Sequence, residues 1–393
     1  MSGISTELRH LVLPVGAWDP AKEAPDNPFD YVDLSSVDRD TKQIVTPQTL
    51  LGAEAPSRAK QMLETGDVLV STVRPNLNAV ALVPEEFDGA TGSTGFCVLR
   101  AKRSDLDCSY LYHWVRNPSF VAAMVRRATG ASYPAVSDRI VKESKIPLPP
   151  LPEQRRIAAI LDKADAVRRK RQQTLDLADD FLRSSFLDLF GDPVTNPKGW
   201  PVEELGQLID PDRPITYGIL KPGPDMLKGI PYVRVVDIAD EMVVVSSLRR
   251  TTCAIADQYK RSTLQHNDVL MSIRGHVGRL ALVPAELNGA NITQDTARLA
   301  AASVILPEFL LAVLSSHGPQ RWMARHVKGG AVKGINLGDV KLIPIPVPPT
   351  IEQERFAQIY RMVRSARSHE VAMIAKLDAL HGSLTQRAFR GEL

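Results

Sequence analysis

Apolar positions along the chain follow two rhythms. Short β-branched runs at 68–73, 80–83, 243–245 and 269–273, bounded by Gly, Pro, Asn and Asp, predict strands. Longer amphipathic runs at 110–127 and 307–327 predict one helix each. After each of these regions the pattern changes to heptads. One seam reads Leu161, Arg168, Leu175, Leu182, Leu189 beside Ile157, Ala164, Arg171, Ala178, Ser185; the later one reads Tyr360, Arg367, Ile374, His381, Ala388 beside Phe356, Val363, Glu370, Leu377, Leu384. Sustained over about four heptads, this predicts a coiled coil with polar interruptions, the two seams pairing with each other. Prolines 147, 149 and 150 force an extended lead-in, and Pro152 suits a first helical turn, where its missing N–H costs nothing. In the second helix Thr350 and Gln353 form a capping-box pattern, and Glu352 sits where the helix dipole favours a negative charge.

The chain is written twice. Asp67-Val-Leu-Val-Ser71 returns as Asp268-Val-Leu-Met-Ser272, Ala81-Leu-Val-Pro84 as Ala281-Leu-Val-Pro284, and Ile146-Pro-Leu-Pro-Pro150 as Ile345-Pro-Val-Pro-Pro349. Matches that keep their order at a spacing near 200 residues mark a duplicated half-molecule, since solenoid units run to only ~20–50 residues. The segmentation this predicts is 1–145 and 193–344 for two globular domains, with 146–192 and 345–393 for proline hinges and helices. The fold class is α+β: two similar α/β domains separated by two long helices forming an antiparallel coiled coil. In an antiparallel pair Arg171 falls close to Glu370. Two readings stand for them, a register-fixing ion pair or two solvated charges on a looser helix pair.

Composition narrows the function classes. In 393 residues, 48 Lys+Arg against 45 Asp+Glu leave a net charge of +3, which excludes a strongly basic nucleic-acid coat but not a reader whose charge sits in patches. The three cysteines are far apart, arguing against a disulfide framework or thiolate zinc site and fitting a reduced cytoplasmic setting. The segment MSGISTELRH has no signal-peptide core and no run reaches the ~18 apolar residues of a membrane span, so no membrane association is expected. No phosphate-binding G-x-x-x-x-G-K-[ST] loop occurs, Asn27-Pro28-Phe29 lacks the second proline of an adenine-methyltransferase loop, and the eight histidines show no ligand spacing. No catalytic residue, metal or cofactor is expected.

What remains is the placement of charge. The stretches 116–145 and 316–344 each carry a net +4, including Arg126, Arg127, Arg325, Lys328 and Lys333, and each has glycine turns suited to a phosphate backbone. A solvated helix face is the plainer reading for either stretch alone, and recurrence in both halves favours the phosphate contact. Arg74, in Ser71-Thr-Val-Arg-Pro-Asn76, and Arg274, in Ser272-Ile-Arg-Gly-His276, each follow a strand. Each has two readings, a bidentate hold on guanine aided by Asn76, Asn78, His276 or Arg279, or an ion pair to a nearby carboxylate. Tyr133 has the readings of a residue that stacks or contacts sugar-phosphate, or of a packed aromatic.

Pro147-Leu-Pro-Pro-Leu-Pro-Glu-Gln-Arg-Arg-Ile157, followed by Phe190-Gly-Asp-Pro193 and Asn196-Pro-Lys-Gly-Trp-Pro201, together with GDVLVSTVRPNLNAVALVP, resembles the specificity (S) subunit of type I restriction-modification enzymes. The resemblance covers essentially the whole chain. It implies two target recognition domains, each reading one half of a split double-stranded DNA site. It also implies an antiparallel helical region that docks two methyltransferase subunits, with restriction subunits as further partners. The chain itself would be non-catalytic, directing adenine methylation and ATP-dependent cleavage by its partners. Thr350-Ile351 stands where Leu151-Pro152 stands in the first half, which leaves the second docking surface less defined. The rival readings are a self-sufficient DNA methyltransferase or nuclease and a coiled-coil scaffold that binds protein.

Overall fold

Strand Val68–Ser71 is buried at every position, and the reason is that both of its faces are covered. A computed structural model describes residues 5–130, 132–330 and 332–393. Among them, six helices exceed two turns: α1 (Cys108–Arg116), α2 (Pro118–Arg127), α3 (Leu151–Phe190), α4 (Pro307–Ser315), α5 (His317–His326) and α6 (Thr350–Arg390). The chain divides into two units. One is the chain up to Thr174 with Glu370–Leu393; the other is Leu175–His369. Each unit thus takes a globular domain and parts of both long helices, a grouping that cuts across the linear segmentation at 146 and 345.

In the first unit a sheet runs in the order Val12–Leu13, Phe96–Ala101, Val68–Ser71, Val80–Leu82, all antiparallel. Val68, Val70, Cys97 and Leu99 face a cluster built with Tyr110, Leu111, Val115, Phe120, Ile157, Leu161 and Phe389. Leu69, Ala81, Phe96 and Val98 face the opposite way, toward Val32, Val37 and Leu63, which belong to or adjoin a second sheet ordered Gln48–Leu51, Pro28–Val32, Thr91–Ser93, Ala59–Met62. A strand between two apolar layers needs no polar alternation, so its sequence reads as a continuous apolar run.

The second unit repeats the plan in register. Val269 pairs with Leu282 and Leu299, as Val68 does with Leu82 and Leu99. Its helical layer comes from α4, α5 and parts of α3 and α6, with Phe186, Phe190, Phe309 and Phe356 packed ring against ring.

Four expectations change. The run 110–127 is two helices, because Asn117 accepts the Ser119 N–H through its side chain and Pro118 opens α2, a cap and a helix-starting proline in succession. The run 307–327 likewise divides, Ser316 separating α4 from α5. Of 243–245, only Met242–Val243 is strand, and Val245–Ser247 turns into a 3-10 helix. The capping-box glutamine serves another purpose: Gln353 accepts from the Leu306 N–H and donates to Val304 and Pro348 carbonyls. Gln154 makes the same three-way tie to Asp107, Asp105 and Pro149. Buried amides spent on loop backbone in this way lock each long helix to its domain.

The heptad seams face inward throughout: every seam position is buried or half-buried. In the first unit the helices run antiparallel, with Arg156 on the Leu393 carbonyl, Arg168 3.5 Å from Asp378, and Arg171 Nη1 2.7 Å from Glu370 Oε2. In the second unit Arg367 Nε lies 3.1 Å from Asp179 and Phe186 packs on Phe356, again antiparallel. No helix of the described residues is long and apolar enough to cross a membrane.

Candidate nucleic-acid interface

The turn leaving strand Val68–Ser71 is not an ordinary one. Arg74 has φ 51°, in the left-handed region, where any residue with a Cβ is strained and a stabilising contact is needed. That contact is a hydrogen bond from its N–H to the Pro134 carbonyl at 2.7 Å. Pro134 belongs to a hairpin closed by paired hydrogen bonds between Thr129 and Ala135, 2.9 Å each way. Tyr133, exposed, lies beneath the guanidinium, with Arg74 Cζ 4.6 Å from its ring centroid. The structure therefore brings together an arginine and a tyrosine that are 59 positions apart, by docking a glycine hairpin onto a strand-end loop.

The second unit builds the same device with different side chains. Lys328 and Gly334 exchange backbone hydrogen bonds at 2.8 and 2.9 Å, and the Gly275 N–H donates to Lys333. Arg274, His276, Arg279 and Lys333 are exposed around it. Ser272 holds the loop, its hydroxyl donating to the His276 carbonyl and accepting the Arg279 N–H. Gly329 adopts φ 109°, and a Cβ there would stand 2.4 Å from the Val332 carbonyl oxygen, so the hairpin requires glycine.

Not every candidate is free to reach a ligand. Asn76 is exposed, but Asn78 is turned inward. Its amide reaches the Arg116 carbonyl at 3.4 Å and its own carbonyl accepts from Lys42 at 2.6 Å. Burial, with Arg116 nearby, drops that lysine to a pKa of about 8. The basic stretch 116–145 is largely neutralised within the fold. Arg116 is buried against Asp165, Arg127 and Arg139 share Glu143, and Lys142 lies 3.9 Å from Asp138. Arg126 stays exposed with no ion pair among the described residues. In the other stretch Lys328 contacts Asp339 at 3.4 Å, whereas Arg325 and Lys333 are unpaired among the described residues. Counting charges along the chain overstated the first patch, because a carboxylate 49 positions from Arg116 is invisible to a local sum. Sequence reasoning also missed the register pairs Arg168–Asp378 and Arg367–Asp179, although both arginines stood on the heptad seam.

Two copies of one α+β domain, each setting a strand-end arginine beside a glycine hairpin, and two antiparallel helices joining them define a duplicated recognition module. A family model described as "Type I restriction modification DNA specificity domain" matches residues 43–176 and 197–365. The chain belongs to this family of type I specificity subunits, which groups it with recognition rather than catalytic subunits. The type I restriction enzyme EcoBI specificity subunit of Escherichia coli is 30% identical over 326 residues, 76% of this chain and 68% of that protein. The MjaIX specificity subunit of Methanocaldococcus jannaschii is 22% identical over 311 residues, 72% and 68% of the two chains. A chain solved in work on "complex assembly and conformational transition of the type I R-M system" is 29% identical, with a TM-score of 0.55 and 100% and 99% coverage. The S subunit from M. genitalium, 13% identical over 98% and 96% of the two chains, has a TM-score of 0.61 and shares the fold.

Proposed function

We propose that this chain recognises a bipartite, asymmetric site on double-stranded DNA, one half per globular domain, and directs adenine methylation and ATP-dependent restriction by partner subunits. The observation that carries the reading is the duplicated loop pair: Arg74 over Tyr133 in one domain, Arg274 beside the Lys333 hairpin in the other. A loop that leaves a rigid strand and is braced by a hairpin can hold a guanidinium at a base edge, where guanine O6 and N7 accept both of its donors. Asn76, Arg279 and His276 flank these arginines as further donors. Arg126, Arg325 and Lys333, exposed and unpaired among the described residues, suit phosphate contacts, which position without specifying, whereas Arg127 and Lys328 would have to leave Glu143 and Asp339 to join them. The loops differ between domains, as an asymmetric target requires.

Two methyltransferase subunits would dock on the long helices, with restriction subunits joining them. The helices carry exposed apolar side chains outside the seam: Leu177 and Phe181 on α3, Met362 and Leu380 on α6. Such residues on otherwise polar helices suit a protein partner. Arg171 and Glu370 would set the helix register. The decisive experiment maps methylated adenines in DNA modified by the reconstituted complex, alongside duplex binding measured against salt. A split methylated site and salt-sensitive binding support the reading. Methylation or cleavage by the purified chain with cofactor alone would instead make it an enzyme, and no salt-sensitive duplex binding with the methyltransferase present would make it a protein scaffold.

A further inference from the structure

The first unit gathers three metal-ligand side chains that have no sequence spacing in common. His113 on α1, Asp165 on α3 and His381 on α6 bring a ring nitrogen each from the histidines and a carboxylate oxygen within 4.8 Å of one another. His113 is 1% exposed and Asp165 2%. Asp162 Oδ1 lies 2.8 Å from His113 Nε2. An ionised carboxylate only accepts, so Nε2 carries a proton, and in the neutral imidazole that binds metals Nδ1 keeps its lone pair. That Nδ1 is buried and has no hydrogen-bond partner. His381 Nε2 is in the same condition, 3.2 Å from an Asp165 oxygen but misaligned for a hydrogen bond.

These features are those of a ligand set and its supports. Around an ion with bonds of about 2.0–2.1 Å, neighbouring ligand atoms of a tetrahedron stand about 3.3–3.4 Å apart, close to the observed His381–Asp165 separation. A histidine that ligates through one nitrogen and donates through the other to a carboxylate is the usual outer-shell arrangement, and Asp162 supplies it. Arg116 grips Asp165 mainly through Oδ2, with Nη2 3.3 Å from Oδ1, which fixes the carboxylate. Asp162 and Asp165 offset the two arginines that act on the site, Arg116 and Arg168. Two imidazoles and one carboxylate suit zinc or its nitrogen-preferring neighbours over magnesium or calcium.

We propose that His113, Asp165 and His381 bind one divalent ion of the zinc class, fastening α3 and α6 to the recognition-domain helix α1. The second unit is an internal control. Helices α1 and α4, and α3 and α6, start 199 positions apart, so the matching positions are Ala312, Arg364 and Leu182. All three line a cavity of about 650 Å³, and none of the three is a metal ligand. One ion per chain follows.

The test uses the full-length chain, stripped with chelator and dialysed, then titrated with Zn²⁺ and with Co²⁺ as a spectroscopic probe. The expected result is one equivalent bound, ligand-field absorption from Co²⁺, and a metal-dependent rise in melting temperature. His381→Gln should melt with the metal-free wild type and lose both the rise and the absorption. Asp162→Asn, at an accessible outer position, should bind 10–100-fold more weakly, and His369→Gln, on an exposed turn of α6, should bind normally. Saturation absent from the wild type, or binding unaffected by both His381→Gln and Asp162→Asn, would overturn the site.

Discussion

Arg74→Ala separates the roles that its loop could play. The backbone is held by the Pro134 carbonyl at 2.7 Å whatever the side chain, and Arg74 has no carboxylate partner among the described residues, its guanidinium lying over the Tyr133 ring. Truncation therefore leaves no buried charge behind, and because alanine also carries a Cβ the strain of the left-handed φ is unchanged. A guanidinium bound bidentately to one base contributes about 1–3 kcal/mol of discrimination, which is roughly 5–150-fold in affinity for the cognate half-site at ~1.4 kcal/mol per decade. Removing the ring with Tyr133→Ala should cost less, because an exposed cation–π contact is worth about 0.5–1 kcal/mol. The assay is fluorescence-anisotropy binding of the chain with its methyltransferase partner to duplexes varied one base at a time, over a range of salt. Arg74→Ala should flatten discrimination at one base of one half-site and leave the other half-site unchanged. A uniform loss on every duplex, with the salt slope reduced by about 1, would make Arg74 a phosphate contact instead. No change in either affinity or discrimination would refute the reasoning that places DNA at this loop.

Three other perturbations test the scaffold and its charges. A double-mutant cycle on Arg171 and Glu370, both about one third exposed, should give a coupling of about 0.2–1 kcal/mol in urea unfolding; zero coupling removes them from any register role. Gly329→Ala forces a Cβ against the Val332 carbonyl at φ 109° and should weaken DNA binding through the second domain at least several-fold while far-ultraviolet circular dichroism is preserved; wild-type binding would dissociate that hairpin from recognition. Asp237 is buried, and although burial opposes its charge, hydrogen bonds from Arg234 and Ser247 hold its pKa below the ordinary carboxylate value. A depressed folded pKa means its stabilisation is complete above the unfolded value of ~3.9 and fades as pH falls through the lower folded one. Asp237→Asn should therefore cost about 1.5–3 kcal/mol at neutral pH, with the gap to wild type closing below about pH 4; a constant gap would show that the charge is not the source.

Much of the architecture could be read from order and period alone. The repeat at a spacing near 200 foretold two like domains, and the heptads placed every seam position on the inward face. Legibility failed where the deciding contact is non-local. The helix break at Asn117-Pro118 is the exception, local in origin yet masked by the apolar period on both sides. Arg116 reads as surface charge until Asp165 is brought to it from α3, and Asn78 reads as a free donor until Lys42 and the Arg116 carbonyl occupy it. The histidines lacked ligand spacing because the fold draws its donors from three helices.

The duplication also shows which positions the fold demands and which it leaves open, without reference to any other protein. Asp67 and Asp268 are both buried carboxylates gripped by an arginine, but the arginine is Arg100 from a paired strand in one domain and Arg213 from a preceding loop in the other. The carboxylate is required at that address and the route of the cation is not. Gln154 and Gln353 keep both residue and role, each tying its helix to loop backbone as acceptor and double donor. Ser109 on Asp162 becomes Glu308 on Arg361, a hydroxyl contact replaced by an ion pair between the same two helices of the repeat. At the hairpins the backbone hydrogen bonds recur while Tyr133 gives way to Val332 as the neighbour of Lys333. A backbone cradle is held constant by main-chain bonds and tethering amides, with side chains exchanged on top of it, so equivalent loops of the two domains present different chemistry.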